Sequence, residues 1–106
     1  MVTVPAETVF AVAREVAAVV LGVSPADAAA VRLSGGPLSA ARRCVHIGLF
    51  VVYTTADGSR LEDVGALVGV GKTAVHKIVR KVAEWRTDPR WAGAVLAAER
   101  VARLIA

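Results

Sequence analysis

Cysteine, aromatic rings, acidic surplus and long uninterrupted apolar runs are all scarce in this chain of 106 residues. The single Cys44 excludes an internal disulfide and a cysteine zinc cage, and its apolar neighbours predict an inert buried thiol. No Ser or Cys nucleophile stands in a recognisable arrangement with His and an acid, so no enzyme is expected, and no metal or cofactor. The apolar stretch at residues 1–23 is broken by Glu7, Arg14 and Glu15. It is therefore read as neither a signal peptide nor a membrane span. The run from Cys44 to Tyr53 falls well short of the roughly 20 residues a span needs. These shortages point to a cytoplasmic protein with no membrane partner.

What acid there is lies unevenly. Residues 1–58 carry four basic and four acidic side chains, whereas residues 59–106 carry nine and five, so the whole net charge of +4 sits in the second half. A one-sided basic excess predicts a polyanionic partner.

The stretch that organises this half is Leu61 to Arg80, LEDVGALVGVGKTAVHKIVR. Val64, Val68, Val70, Val75 and Ile78 fall where two short helices joined by a tight turn bury their inner faces. Gly65 is small where the helices cross, and Gly69 sits where the chain must turn with φ > 0. Lys72, Thr73, His76, Lys77 and Arg80 are left facing outward. In a DNA-reading helix-turn-helix those positions of the second helix enter the major groove. The same apolar spacing also describes a plain packing hairpin. The glycines, the outward basic face and the local charge excess favour the DNA reading.

The remaining helices follow from start and stop signals. Pro5 opens a first helix carrying Val9, Val12, Val16, Val19 and Val20 at helical spacing, and Gly22 stops it. Ser24-Pro25 starts a short helix expected to run to about Arg32, followed by a Gly35-Gly36-Pro37 loop. Residues 38–55 are apolar almost all round from Val45 onward, which predicts the central core helix. Its β-branched end, Val51 to Thr55, would suit a strand, but no second strand is there to pair with it. Asp57-Gly58 makes a turn, and Ser59 with Glu62 forms a capping box for the first motif helix. Thr87-Asp88-Pro89 ends the second motif helix and starts a last one over about 89–105. The expectation is one all-α domain of about six helices spanning residues 1–106.

Ala66 to Thr73 fits a loose phosphate-loop pattern, with Ala66 where the strict form has Gly. The residues before it read as a helix and not as the required strand, so no nucleotide is expected. Arg42 and Arg43, in the first turns of the core helix, are candidate phosphate or minor-groove contacts, the alternative being a solvated turn. His46, among apolar neighbours, reads as a satisfied core histidine, and Trp85 and Trp91 as anchors of a helix corner. The final helix carries more apolar surface than one-sided docking needs. Trp91, Val95, Leu96, Val101 and Leu104 are therefore candidates for a protein interface, with a twin subunit or with the transcription machinery. The rival reading folds that helix back over Trp85 and the core helix.

With these parts in order, residues 8–86 resemble the C-terminal DNA-binding domain of the bacterial replication initiator DnaA, in the Trp-repressor-like helix-turn-helix group. Leu21-Gly22-Val23-Ser24-Pro25-Ala26-Asp27 is similar to the family's aromatic-Gly-Val-x-x-x-Asp turn. Leu61-Glu62-Asp63-Val64-Gly65 is similar to its Leu-Pro-Glu-Ile-Gly. Thr73 to Val82 is similar to its Thr-Thr-Val-Leu-His-Ala-x-Arg-Lys-Ile. Gly71-Lys72-Thr73-Ala74 stands where the family has Asp-His-Thr-Thr, and Lys77 stands for a base-contacting His. The initiator's ATPase has no counterpart, and these departures speak against recognition of the initiator's own box. The chain also resembles the DNA-binding part of activators of gene transfer agent clusters. The resemblance implies a transcriptional regulator bound to double-stranded DNA. Lys72, Thr73, His76 and Lys77 would meet bases, and Arg42, Arg43, Gly71, Arg80 and Lys81 would meet phosphates. The alternatives are an interaction adaptor that reuses the motif for packing, and an accessory origin-binding factor.

Overall fold

A computed structural model describes residues 4–33, 38–55 and 60–106. Among them the chain forms helices only: α1 (Ala6–Leu21), α2 (Pro25–Ala29), α3 (Ala40–Thr55), α4 (Leu61–Ala66), α5 (Lys72–Trp85) and α6 (Ala92–Ile105). None of these is long and apolar enough to cross a membrane. The expected Gly35-Gly36-Pro37 loop and Asp57-Gly58 turn, and Ser59 itself, lie outside the described residues. The N-cap position of α4 is Arg60 and not Ser59 as expected, because the helix starts one residue later, at Leu61.

Helix α3 is the hub and touches all five other helices. That explains its all-round apolar character: every residue from Cys44 to Val52 is buried. Its β-branched end stays helical because the backbone and hydroxyls can both be satisfied there. Thr55 Oγ1 donates to the Val51 carbonyl at 2.6 Å and Thr54 Oγ1 to the Phe50 carbonyl at 3.1 Å. The other end has a cap that the sequence reading passed over: Ser39 Oγ accepts from the Arg42 backbone N–H at 3.2 Å. Cys44 is buried as expected, its Sγ against the Ala40 carbonyl at 3.3 Å, and burial raises the thiol's pKa.

Helix α1 begins after Pro5 and ends at Gly22, whose φ of 70° makes the left-handed stop. Its buried face is not the valine stripe expected from spacing. Val9 is buried, but the stripe continues through Phe10, Ala13, Ala17 and Ala18. Val19 and Val20 are 70% and 49% exposed. Close packing against α3 and α6 selects the alanine face, because small side chains let helix axes approach. Helix α2 starts where expected, after Ser24 and with Pro25 in its first turn, but the Ser24 hydroxyl makes no capping hydrogen bond and the helix stops at Ala29, short of Arg32. Helix α6 begins at Ala92 and not at Pro89. Asp88 accepts from the Arg90 backbone N–H at 2.9 Å and pairs with the Arg90 guanidinium, so residues 86–91 form a turn. Ala94, Val95, Ala98 and Ala102 of α6 then pack into the core beside α1 and α3. The fold-back reading of α6 therefore describes its inner face.

Candidate nucleic-acid interface

Helices α4 and α5 and the turn 67–71 build the expected motif. Val64, Val75 and Ile78 are buried, and Val68 and Val70 pack half-buried against them. The turn closes when the Val70 N–H donates to the Gly65 carbonyl at 2.9 Å. A Cβ on Gly65 would overlap the Val70 carbonyl oxygen, and Gly69 has φ 72°, so both glycines are required where the sequence reading placed them. The loose phosphate-loop pattern lies across this turn. It is preceded by α4, not by a strand.

Helix α5 is sharply two-sided. Val75, Ile78, Val82 and Trp85 face the core, and burying side chains of this size contributes on the order of 1.5–3 kcal/mol each. Lys72, Thr73, His76, Lys77 and Arg80 are all exposed and together line one shallow concavity on the opposite side. Leu61, the first residue of α4, lines it too. The sequence reading missed Leu61 as a surface contributor, since a leucine opening a helix reads as core.

Gly71 begins α5 without a side-chain cap, so the first amide groups point outward unclaimed by a cap, and no acidic residue occupies the first turn. Lys72 Nζ lies 4.0 Å from Glu62 Oε1, both well exposed, a pair worth little in water.

The flanking cations divide. Lys81 is exposed, and Arg42 is half-buried in the first turn of α3. Both, with Arg43, lie near the His46 ring. Burial first, and then the charges of Lys81, Arg42 and Arg43, push the His46 pKa down to about 4. Arg42 and Arg43 at the start of α3 and Lys81 in the second half of α5 thus all bring positive charge toward His46. Arg43 is engaged differently. Its guanidinium packs over Trp91 and Trp85, and burial and the Arg90 charge lower its pKa. His46 is buried and stacks on Trp85, with ring centres 6.3 Å apart and planes 13° from parallel. It is a core histidine but not a fully satisfied one, because Nδ1 has no hydrogen-bond partner among the described residues.

The interface candidates of α6 also divide. Val95 is fully buried and belongs to the core, correcting its assignment to a surface. Trp91 is half-buried against Trp85, with ring centres 6.4 Å apart. Leu96 and Leu104 are exposed and Val101 is half-buried.

Among the described residues no group of His, Cys, Asp and Glu is placed to hold a metal ion. No protein-family model, curated protein or solved structure matches this chain.

Proposed function

We propose that this protein binds double-stranded DNA with sequence preference and regulates transcription. One observation carries the reading: five polar or basic side chains occupy the exposed face of α5, from its first turn, opposite a face anchored in the core. A rigid helix so arranged fits a major groove about 12 Å wide. Lys72, Thr73, His76 and Lys77 meet base edges. Leu61 supplies an apolar contact of the kind a thymine methyl accepts. Arg80, Lys81, Arg42 and the amides after Gly71 meet phosphates. Arg43, engaged with two indoles, is left out of that set. The resemblance to activators of gene transfer agent clusters supports activation over repression.

The deciding experiment selects bound duplexes from a random DNA library and then measures affinity for the selected site across a salt series. The expected result is an enriched motif and a log–log slope of about −0.9 per phosphate contact. Absence of retention on any duplex at about 50 mM salt sinks the reading, since electrostatic binding is strongest there. It would leave the motif as a packing hairpin of an interaction adaptor.

A further inference from the structure

Beyond the α5 face, the outer side of α6 carries a second built surface. Leu96, Ala97, Val101 and Leu104 form the floor of an open groove, and Arg86, Arg100 and Arg103 stand around it. Leu96 is 49% and Leu104 80% exposed, more than a helix docked on one side needs to leave in water. The arginines are not all free to move. Glu99, buried beneath the groove, pairs with Arg86 Nε at 3.1 Å, an ion pair without hydrogen-bond geometry, and accepts from Arg103 Nη2 at 3.4 Å. One carboxylate thus fixes two guanidinium groups at the groove and neutralises one of its three positive charges. Arg100 makes no ion pair among the described residues.

We infer that this groove is a docking site for an acidic, amphipathic segment of another protein. Such a segment would lay leucine-sized side chains on Leu96, Val101 and Leu104 and set carboxylates against Arg86, Arg100 and Arg103. The charge decides among occupants. A second copy of this chain meeting the groove through a two-fold axis would set the same arginine-bearing patch against itself. Like charges facing each other across an interface are unfavourable, and the chain as a whole is also positive at +4. An acidic partner meets a preset pair of arginines whose side-chain freedom is already restricted, which lowers the cost of ordering them on binding. The groove begins at Arg86, thirteen residues past Thr73 on a path that mostly follows α5. That puts it roughly 20 Å from the start of the proposed DNA-reading face at 1.5 Å per residue. This inference does not depend on what α5 binds.

The test selects displayed random 16-residue peptides on the immobilised full chain and measures the enriched peptides by fluorescence anisotropy. The expected winners carry apolar residues at i, i+3 or i+4, and i+7, flanked by Asp or Glu. They lose at least tenfold in affinity to Leu96→Asp/Leu104→Asp and to Arg100→Glu. Leu96→Gln/Leu104→Gln serves as a second, milder variant, and circular dichroism establishes that each variant is folded. Winners that are neutral or basic, or that bind all variants equally, overturn the inference. So does a dimer at tens of micromolar in sedimentation that the leucine variants abolish, which would make a second copy the occupant. Binding to vesicles containing anionic lipid that the same variants abolish would assign the groove to a membrane surface and overturn it as well.

Discussion

The Arg43 guanidinium lies 4.0 Å from the centre of the Trp91 ring and 4.8 Å from that of Trp85, so one cation ties α3 to the corner between α5 and α6. Arg43→Ala is expected to cost about 1–2 kcal/mol of stability in urea unfolding. A double-mutant cycle with Trp91→Leu should return a coupling of about 0.5–2 kcal/mol. DNA affinity of the folded variant should change little. A variant as stable as the parent that loses DNA affinity would restore Arg43 to the phosphate-contacting set.

Stability should fall as the solution becomes mildly acidic, and His46 is the reason. Its folded pKa of about 4 lies below the ordinary value of 6.5, so the folded state disfavours the charged ring. The stabilisation is fully present above pH about 6.5 and is lost as pH falls through the folded pKa, about 3 kcal/mol in all. Denaturant unfolding between pH 7.5 and 5, above the range where carboxylates titrate, should show the slope. His46→Phe should flatten it. An unchanged slope in that variant would assign the loss to other groups.

The two motif glycines should differ when replaced by alanine. Gly65→Ala forces a methyl onto the Val70 carbonyl and should cost about 1–3 kcal/mol, the range for overpacking. Gly69→Ala meets no neighbour within 4 Å but must hold φ near 72°, at about 1–2 kcal/mol. The separation appears in DNA affinity. Gly65→Ala displaces α5 relative to α4 and should weaken binding beyond its stability loss, while Gly69→Ala should not. Equal effects on affinity would mean that the turn, not the helix crossing, sets the reading face.

On α5 itself, Lys77→Ala is expected to lose about 1–3 kcal/mol on the selected site and to relax preference at one or two positions. Equal losses on selected and random DNA would mark Lys77 as a phosphate contact. Glu62→Gln releases Lys72 and removes a negative charge beside the reading face, so affinity should rise by roughly twofold, about 0.5 kcal/mol. A fall in affinity would mean that Glu62 positions Lys72 for its contact.

The motif was legible from the sequence because its constraints are local. A positive φ at Gly69, a close approach at Gly65 and an apolar stripe on α5 each act within a few residues. Helix α3 was legible because burial on every side leaves a run that only a hub can explain. The reading went astray where partners distant in the chain decide. Val19 and Val20 outrank alanine on any hydrophobic scale, yet Ala13, Ala17 and Ala18 face the core because α6 returns against them. Val95 and Leu104 look alike as sequence, and only the docking of α6 tells that one is buried and the other is 80% exposed. The engagement of Arg43 could not be read without the two indoles that approach it from residues 85 and 91.

The alanines that α1 and α6 turn inward set a dimension of the molecule. An alanine has no rotamers to freeze, so this seam orders almost no side-chain freedom. For the same reason it has no slack: an added methylene cannot swing aside and must push two backbones apart. A larger residue at position 13, 17, 94, 98 or 102, all buried, is therefore expected to cost about 1–3 kcal/mol, as overpacking does.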